Sequence, residues 1–182
     1  MDKIINNAIS KILNNRKELL KIPIRQKAKF EGWLKFELAH YLEKIGMESV
    51  EVESKRYFKR DRTDITFFYD GNYYSVELKT SNTNWKIKGV QPRTRPITKN
   101  IQSIIEDAEK LNSTQGIVAF VLFPIPFGDN RWTEYLVRIK EKTGLEISKE
   151  SNCNLITLSL NQNEKCQVIV CTFKSKVFNN WP

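Results

Sequence analysis

The sequence predicts one mixed α/β domain, ordered helix, helix, three strands, helix, strand, helix and two strands. Three observations carry that prediction. Helical periodicity runs through residues 2–20 and 26–44, then yields to β-branched and aromatic runs from Ser49 onward. The apolar run Ile117–Phe123 lies unbroken between Gly116 and Pro124, as expected of a central strand buried on both faces. The 182 residues, 40% of them hydrophobic and 11% aromatic, suffice for one core, yet no apolar stretch reaches the length of a membrane span. Residues 1–182 therefore read as one domain: a helical extension (1–25), a core (26–123) and a C-terminal helix with strands (124–182).

In chain order, Ile4, Ile5, Ala8, Ile9, Ile12, Leu13, Leu19 and Leu20 recur at helical spacing, and Pro23 is expected to stop that helix. A second helix is expected from Gln26 to Lys44, with Gly46 as its stop. Ser49–Phe58, Thr63–Tyr69 and Tyr73–Thr80 are rich in Val, Ile, Phe and Tyr and read as strands. Ser81–Thr98 reads as a polar loop, Lys99–Leu111 as a helix, and Arg131–Lys142 as a helix ended by Gly144. Leu155–Leu160 and Gln167–Phe173 complete a terminal hairpin. There is no internal repeat and no low-complexity linker.

The N-terminal MDKIINNAISKIL lacks the apolar core of a signal peptide. Cys153, Cys166 and Cys171 form no CxxC pair, which argues against a disulfide framework and a cysteine zinc site. A cytoplasmic protein without membrane association is expected. Its net charge of +9 is unevenly placed. Residues 1–29 carry +6, residues 30–54 carry −4, residues 55–99 carry +7, and residues 100–182 are neutral. Clustered Lys and Arg suit a polyanion. The neutral half is expected to be scaffold.

Asp70-Gly71 between two strand-like runs signals a two-residue hairpin turn. That turn places Asp64 opposite Glu77, with Lys79 on the same face and Ile65, Phe67, Tyr74, Val76 and Leu78 on the other. Facing carboxylates repel, so the pair suits either a divalent cation or a solvated face where Lys79 neutralises one acid. On the second helix, Glu37 falls within the face formed by Phe30, Trp33, Leu34, Leu38, Tyr41, Leu42 and Ile45, while Glu31 lies toward its edge. A carboxylate there is either functional or a boundary group bridged to an arginine. The lone His40 lacks a partner motif and reads as a surface residue.

A helix bearing Glu37 (FEGWLKFELAHYL), then strands with Asp64 (RTDITFF) and Glu77-Leu78-Lys79 (YYSVELKT), resembles the PD-(D/E)xK nuclease superfamily. The order αβββαβ over about residues 27–123 is similar to that superfamily's core, the restriction-endonuclease-like fold. Thr63 stands where the motif name has Pro, and Glu53-Ser54-Lys55 is a second E-x-K match without an evident acidic hairpin partner. Gln102 is followed four residues later by Glu106, unlike the Gln…Tyr pattern of exonuclease-type members, so its accessory role is open.

The resemblance implies a metal-dependent DNA endonuclease of restriction or repair/junction type. Asp64, Glu77 and the Leu78 carbonyl would hold Mg²⁺, which Mn²⁺ could replace; Glu37 would serve a second metal or its water, and Lys79 would act on the nucleophile or the developing charge. Lys55, Arg56, Lys59, Arg60, Arg62, Lys86, Lys88, Arg93, Arg95 and Lys99 flank these residues as candidate contacts to duplex or branched DNA, with Gln91–Arg95 as the readout segment. Trp85 would stack on a base or cap the core. Cutting both strands with one site per chain implies a homodimer. The alternative is a non-catalytic nucleic-acid-binding module on the same fold.

Overall fold

The computed structural model describes residues 1–55, 62–92, 96–111 and 115–175. Within them lie α1 (Asp2–Asn15), α2 (Lys17–Gln26), α3 (Glu31–Lys44), β1 (Glu48–Ser54), β2 (Thr63–Tyr69), β3 (Asn72–Asn82), α4 (Ile97–Lys110), β4 (Gln115–Pro126), α5 (Thr133–Thr143), α6 (Lys149–Asn152), β5 (Cys153–Ser159) and β6 (Lys165–Lys174). The six strands form one mixed sheet, ordered β1-β2-β3-β4-β6-β5. Only β3 and β4 run parallel, as a crossover through α4 requires; every other neighbouring pair is antiparallel.

Alternation along the strands gives the sheet two apolar faces. One carries Ile65, Phe67, Val76, Leu78, Ala119 and Val121 against the apolar sides of α1, α2 and α3. The other carries Val118, Phe120, Leu122 and Phe173 against α4 and α5. Because β4 contributes to both, its apolar run has no polar alternation, and Ile117–Phe123 is fully buried.

The central hairpin adopts the register that its turn dictates. Asp70 (φ 49°) and Gly71 (φ 70°) occupy the two left-handed positions of the turn, and the ladder runs from Tyr69–Asn72 to Ile65–Val76. Gly71 and the short polar side chain of Asp70 make those angles accessible.

Several boundaries differ from the sequence expectation. Pro23 does not stop a helix: the break falls at Arg16, and α2 passes through Pro23 to Gln26. The missing proline N–H costs one bond near the helix end, where Lys27 (φ 47°) already closes the turn through N–H bonds of Lys27 and Ala28 to Ile24 and Pro23 carbonyls. The next helix therefore starts at Glu31 rather than Gln26. Strand β1 ends at Ser54, and the expected continuation to Phe58 lies outside the described residues. Strand β3 extends to Asn82 and α4 begins at Ile97, shortening the expected polar loop at both ends. Strand β4 continues past Pro124 to Pro126, absorbing it in a register irregularity between Leu122 and Ile125. The short α6 was not anticipated; the Ser148 side chain caps it by accepting from the Ser151 N–H.

At the start of β4, a Cβ on Gly116 would stand 2.5 Å from both Leu111 Cβ and Ser175 Oγ, contacts too short to exist. Gly116→Ala is expected to cost roughly 1–3 kcal/mol, read as a lower urea midpoint with an unchanged slope.

Candidate active site

Beyond Ile65–Val76 the β2–β3 ladder ends, while β3 continues alone beside β4 as far as Asn82–Phe123. The β2-facing edge of β3 thus loses its backbone partner at Leu78 and Thr80. Carboxylates replace it. The Leu78 N–H donates to Asp64 Oδ2 at 2.8 Å, and the Thr80 N–H donates to Glu31 Oε2 at 3.0 Å. The Thr80 hydroxyl accepts from the Phe30 N–H at 3.2 Å, satisfying a backbone donor at the start of α3. The first turn of α3 is thereby fastened to the parting strands.

Asp64 and Glu77 are the next residues after the last ladder pair, and both are buried. A third acid extends the row. The pairs Val52–Ile65 and Ser54–Thr63 put Glu53 opposite Asp64 on β1, so Glu53, Asp64 and Glu77 sit side by side on three adjacent strands. Glu53 does have an acidic cross-strand partner, contrary to the sequence reading, because β1 aligns with β2 across a connection that no local pattern registers.

Lysines interleave this row from both sides of the sheet. Lys35 of α3, only 8% exposed, contacts Asp64 Oδ1 at 2.6 Å and also the Glu53 carboxylate. Lys110 at the end of α4 donates to Glu77 Oε1 at 2.6 Å and to the Arg62 carbonyl at 2.6 Å. Lys79 stands 3.2 Å from Asp107 Oδ2 on the same helix. The expected solvated face with Lys79 neutralising Asp64 or Glu77 is therefore absent: the face is buried, and Lys79 serves Asp107 instead. Nor is the neutral half of the chain only scaffold, since α4 supplies Asp107 and Lys110.

Burial dominates the electrostatics. It pushes the Glu77 carboxyl up to about 7, with Asp64 and Asp107 adding to the rise and Lys110 opposing it. Burial also raises Asp107 despite its ion pair with Lys79. For Lys79, burial acts downward, but Asp107, Glu31 and Asp64 outweigh it and its pKa is raised. Lys35 behaves alike, burial being outweighed by Asp64 and Glu53. Among the described residues, five carboxylates (Glu31, Glu53, Asp64, Glu77 and Asp107) face Lys35, Lys79, Lys110 and the Arg62 guanidinium at Glu53, so acids outnumber cations by one when all are ionised. Oxygen donors with that charge deficit suit a hard divalent cation, which takes one or two carboxylates and completes its shell with water and phosphate. Among the described residues, no group of three or more Asp, Glu, His or Cys side chains is placed to hold a metal ion, so a cation here would rest on two carboxylates and water or phosphate.

Glu37 is not part of this group. It lies two residues beyond Lys35, on the opposite side of α3, where its Oε1 is 3.8 Å from Arg16 Nη2. With Arg16, Asn15, His40, Tyr41 and Lys44 it lines a separate groove between α1 and α3. The helical acid near Asp64 and Glu77 is Glu31, one turn before Lys35. His40 is exposed, as expected.

Of the basic residues named from sequence, Lys55, Arg62, Lys86, Lys88 and Lys99 are exposed, and Arg62 Nη1 is 3.7 Å from Glu53. Arg56, Lys59, Arg60, Arg93 and Arg95 lie outside the described residues, as does part of the Gln91–Arg95 readout segment. Trp85 is half-buried against the α4–α5 side of the core, 6.1 Å from the Tyr135 ring, with Arg131 over its own. Its packing is that of a core cap. Gln102 is exposed and donates to Glu106 at 3.3 Å, apart from the acid row.

Sequence reasoning missed Lys35, Asp107, Lys110 and the roles of Glu31 and Glu53. A signal existed: Glu31/Lys35 and Asp107/Lys110 are spaced to share helix edges bordering apolar stripes. The comparisons add no relative: a scan against protein-family models, a search of curated proteins and a search of solved structures all return no match.

No helix among the described residues is long and apolar enough to cross a membrane.

The Glu77 shift predicts a pH dependence. Its proton is held more tightly in the folded chain than in the unfolded one, so its stabilising share is complete below about pH 4.5 and is lost as pH rises through about 7. In EDTA, Glu77→Gln should therefore gain stability relative to the parent between about pH 5 and pH 8, on the order of 2 kcal/mol, measured by urea unfolding.

Proposed function

We propose that this protein is a metal-dependent DNA endonuclease with a restriction-endonuclease-like core, α3-β1-β2-β3-α4-β4, to which α1, α2 and the C-terminal elements are added. The observation that carries the reading is the pair of buried carboxylates, Asp64 and Glu77, with the half-buried Lys79 on the same face where β2 and β3 part. Two carboxylates side by side and withdrawn from water represent a cost that a purely structural sheet would avoid. The exposed lysines Lys55, Lys86, Lys88 and Lys99 fit contacts to a phosphate backbone.

In this reading Asp64, Glu77 and the Leu78 carbonyl would hold Mg²⁺, or Mn²⁺ in its place, with Glu31 rather than Glu37 as the helical acid. A divalent ion held by these groups would supply polarisation of the phosphodiester and a lowered pKa for an attacking water. Lys79 presents its ammonium to the water or to the charge that builds on the phosphoryl oxygens. Asp107 holds Lys79 charged and in place, and Lys35 orients Asp64 by taking its Oδ1 while the Leu78 N–H takes Oδ2. One such site per chain cuts one strand, so cleavage of duplex DNA calls for two copies, and a homodimer is part of the proposal.

Plasmid and branched oligonucleotide substrates, incubated with Mg²⁺, Mn²⁺ or EDTA, test this. Asp64→Ala, Glu77→Ala and Lys79→Ala should each lower cleavage by at least about 100-fold, while DNA affinity at fixed salt changes by less than about threefold. Wild-type cleavage by Asp64→Ala or Glu77→Ala would remove the assignment; salt-sensitive DNA binding without any cleavage would favour a binding module. Glu31→Gln should impair cleavage and Glu37→Gln should leave it intact, separating the two helical acids in the same assay.

A further inference from the structure

Glu77 is only 3% exposed, and a cation already rests on it. Lys110 Nζ donates to Glu77 Oε1 at 2.6 Å and to the Arg62 carbonyl at 2.6 Å. Asp64 has a resident ammonium too, but the two lysines differ in how they are held. Lys35 emerges from the middle of α3, is buried, and is shared between Asp64 and Glu53. Lys110 is the last residue of α4, and its side chain is 23% exposed. A long, flexible side chain at a helix terminus can withdraw without disturbing the packed stripe of Ile101, Ile104, Ile105 and Ala108 beneath it. Lys79, the other ammonium on this face, is engaged by Asp107 and does not contend for Glu77.

We propose that Lys110 is a positioning residue that occupies Glu77 in the metal-free protein and surrenders it to the divalent cation, so that it sets how tightly the site takes up metal. This rests on the assignment of Glu77 as a metal ligand. The physical reason is competition: one buried carboxylate cannot be left uncompensated, and ammonium and metal ion seek the same oxygens. A monovalent group gives way to a divalent one in a cluster where acids outnumber cations, so the exchange moves the site toward neutrality.

The test is Mn²⁺ binding to the full DNA-free chain, followed by calorimetry and by electron paramagnetic resonance of free Mn²⁺. Lys110→Met should bind Mn²⁺ on the order of tenfold tighter than the parent, Lys110→Arg should remain near the parent, and Glu77→Gln should lose binding. A merely structural lysine would not tighten metal binding when removed. Thermal unfolding supplies a second readout: Lys110→Met should melt below the parent in EDTA and gain more than the parent on adding Mn²⁺. If Lys110→Met does not fold in EDTA, Lys110→Gln, which can still hydrogen-bond Glu77, carries both measurements. Parent-like or weaker binding by Lys110→Met, or by Lys110→Gln where it stands in for it, with binding still abolished by Glu77→Gln, overturns the role of Lys110 and leaves the metal site standing. Equal binding by the parent and Glu77→Gln, or none by either, overturns the ligand assignment and the proposal together.

Discussion

Two strands that begin as a tight hairpin and then separate impose the main constraint on this molecule. After Ile65–Val76, β3 remains paired with β4 but not with β2, and its Leu78 and Thr80 N–H groups face a gap in an otherwise buried region. Such donors must be satisfied. Water could do so at a surface; here the acceptors are Asp64 and Glu31. Those two hydrogen bonds also position α3, through Glu31 and the Phe30–Thr80 contact, and Asp64 in turn positions Lys35. The parting of the strands thus holds both a structural joint and the candidate active site.

Its electrostatics run opposite to those of the whole chain. A protein of net charge +9 gathers five carboxylates around three lysines at one end of its central hairpin. Each lysine contacts at least one of these acids, and each comes from a different element: Lys35 from α3, Lys79 from β3 and Lys110 from α4. The assembly therefore ties both sides of the sheet through charge. Burial strengthens these attractions, but it also raises the proton affinity of Glu77 and Asp107, so the acids are neither comfortably ionised nor free to leave. A surface network would lack that tension, because solvent would screen it.

How far this was legible from sequence depended on the range of the interaction. The Asp70-Gly71 turn set the alignment of Asp64 with Glu77, because a two-residue turn with two left-handed residues admits one register. The alternation of Ile65, Phe67, Val76 and Leu78 likewise identified the core face of that hairpin. Glu37 was misplaced for the opposite reason. The apolar face of α3 is broad, and a helical wheel cannot tell which flank meets the strands and which meets α1. Glu31 and Lys35 meet the strands; Glu37 meets Arg16. Glu53 stands in the sequence without an evident acidic partner because β1 and β2 are joined by a longer connection whose length carries no register information.

By itself, then, the sequence determined what local chemistry controls: the mixed α/β class, the buried central strand, the hairpin register, and the placing of two acids and a lysine on one face. Those features follow from side-chain period, turn angles and apolar content over short stretches of chain. Only the tertiary structure decided that Glu53 completes an acid row, that Glu31 is the helical carboxylate beside it, and that Asp107 and Lys110 reach in from α4. The reason is that a salt bridge between distant elements leaves no trace in either element's periodicity. It exists only when the sheet brings the edges of α3 and α4 to the same gap between β2 and β3.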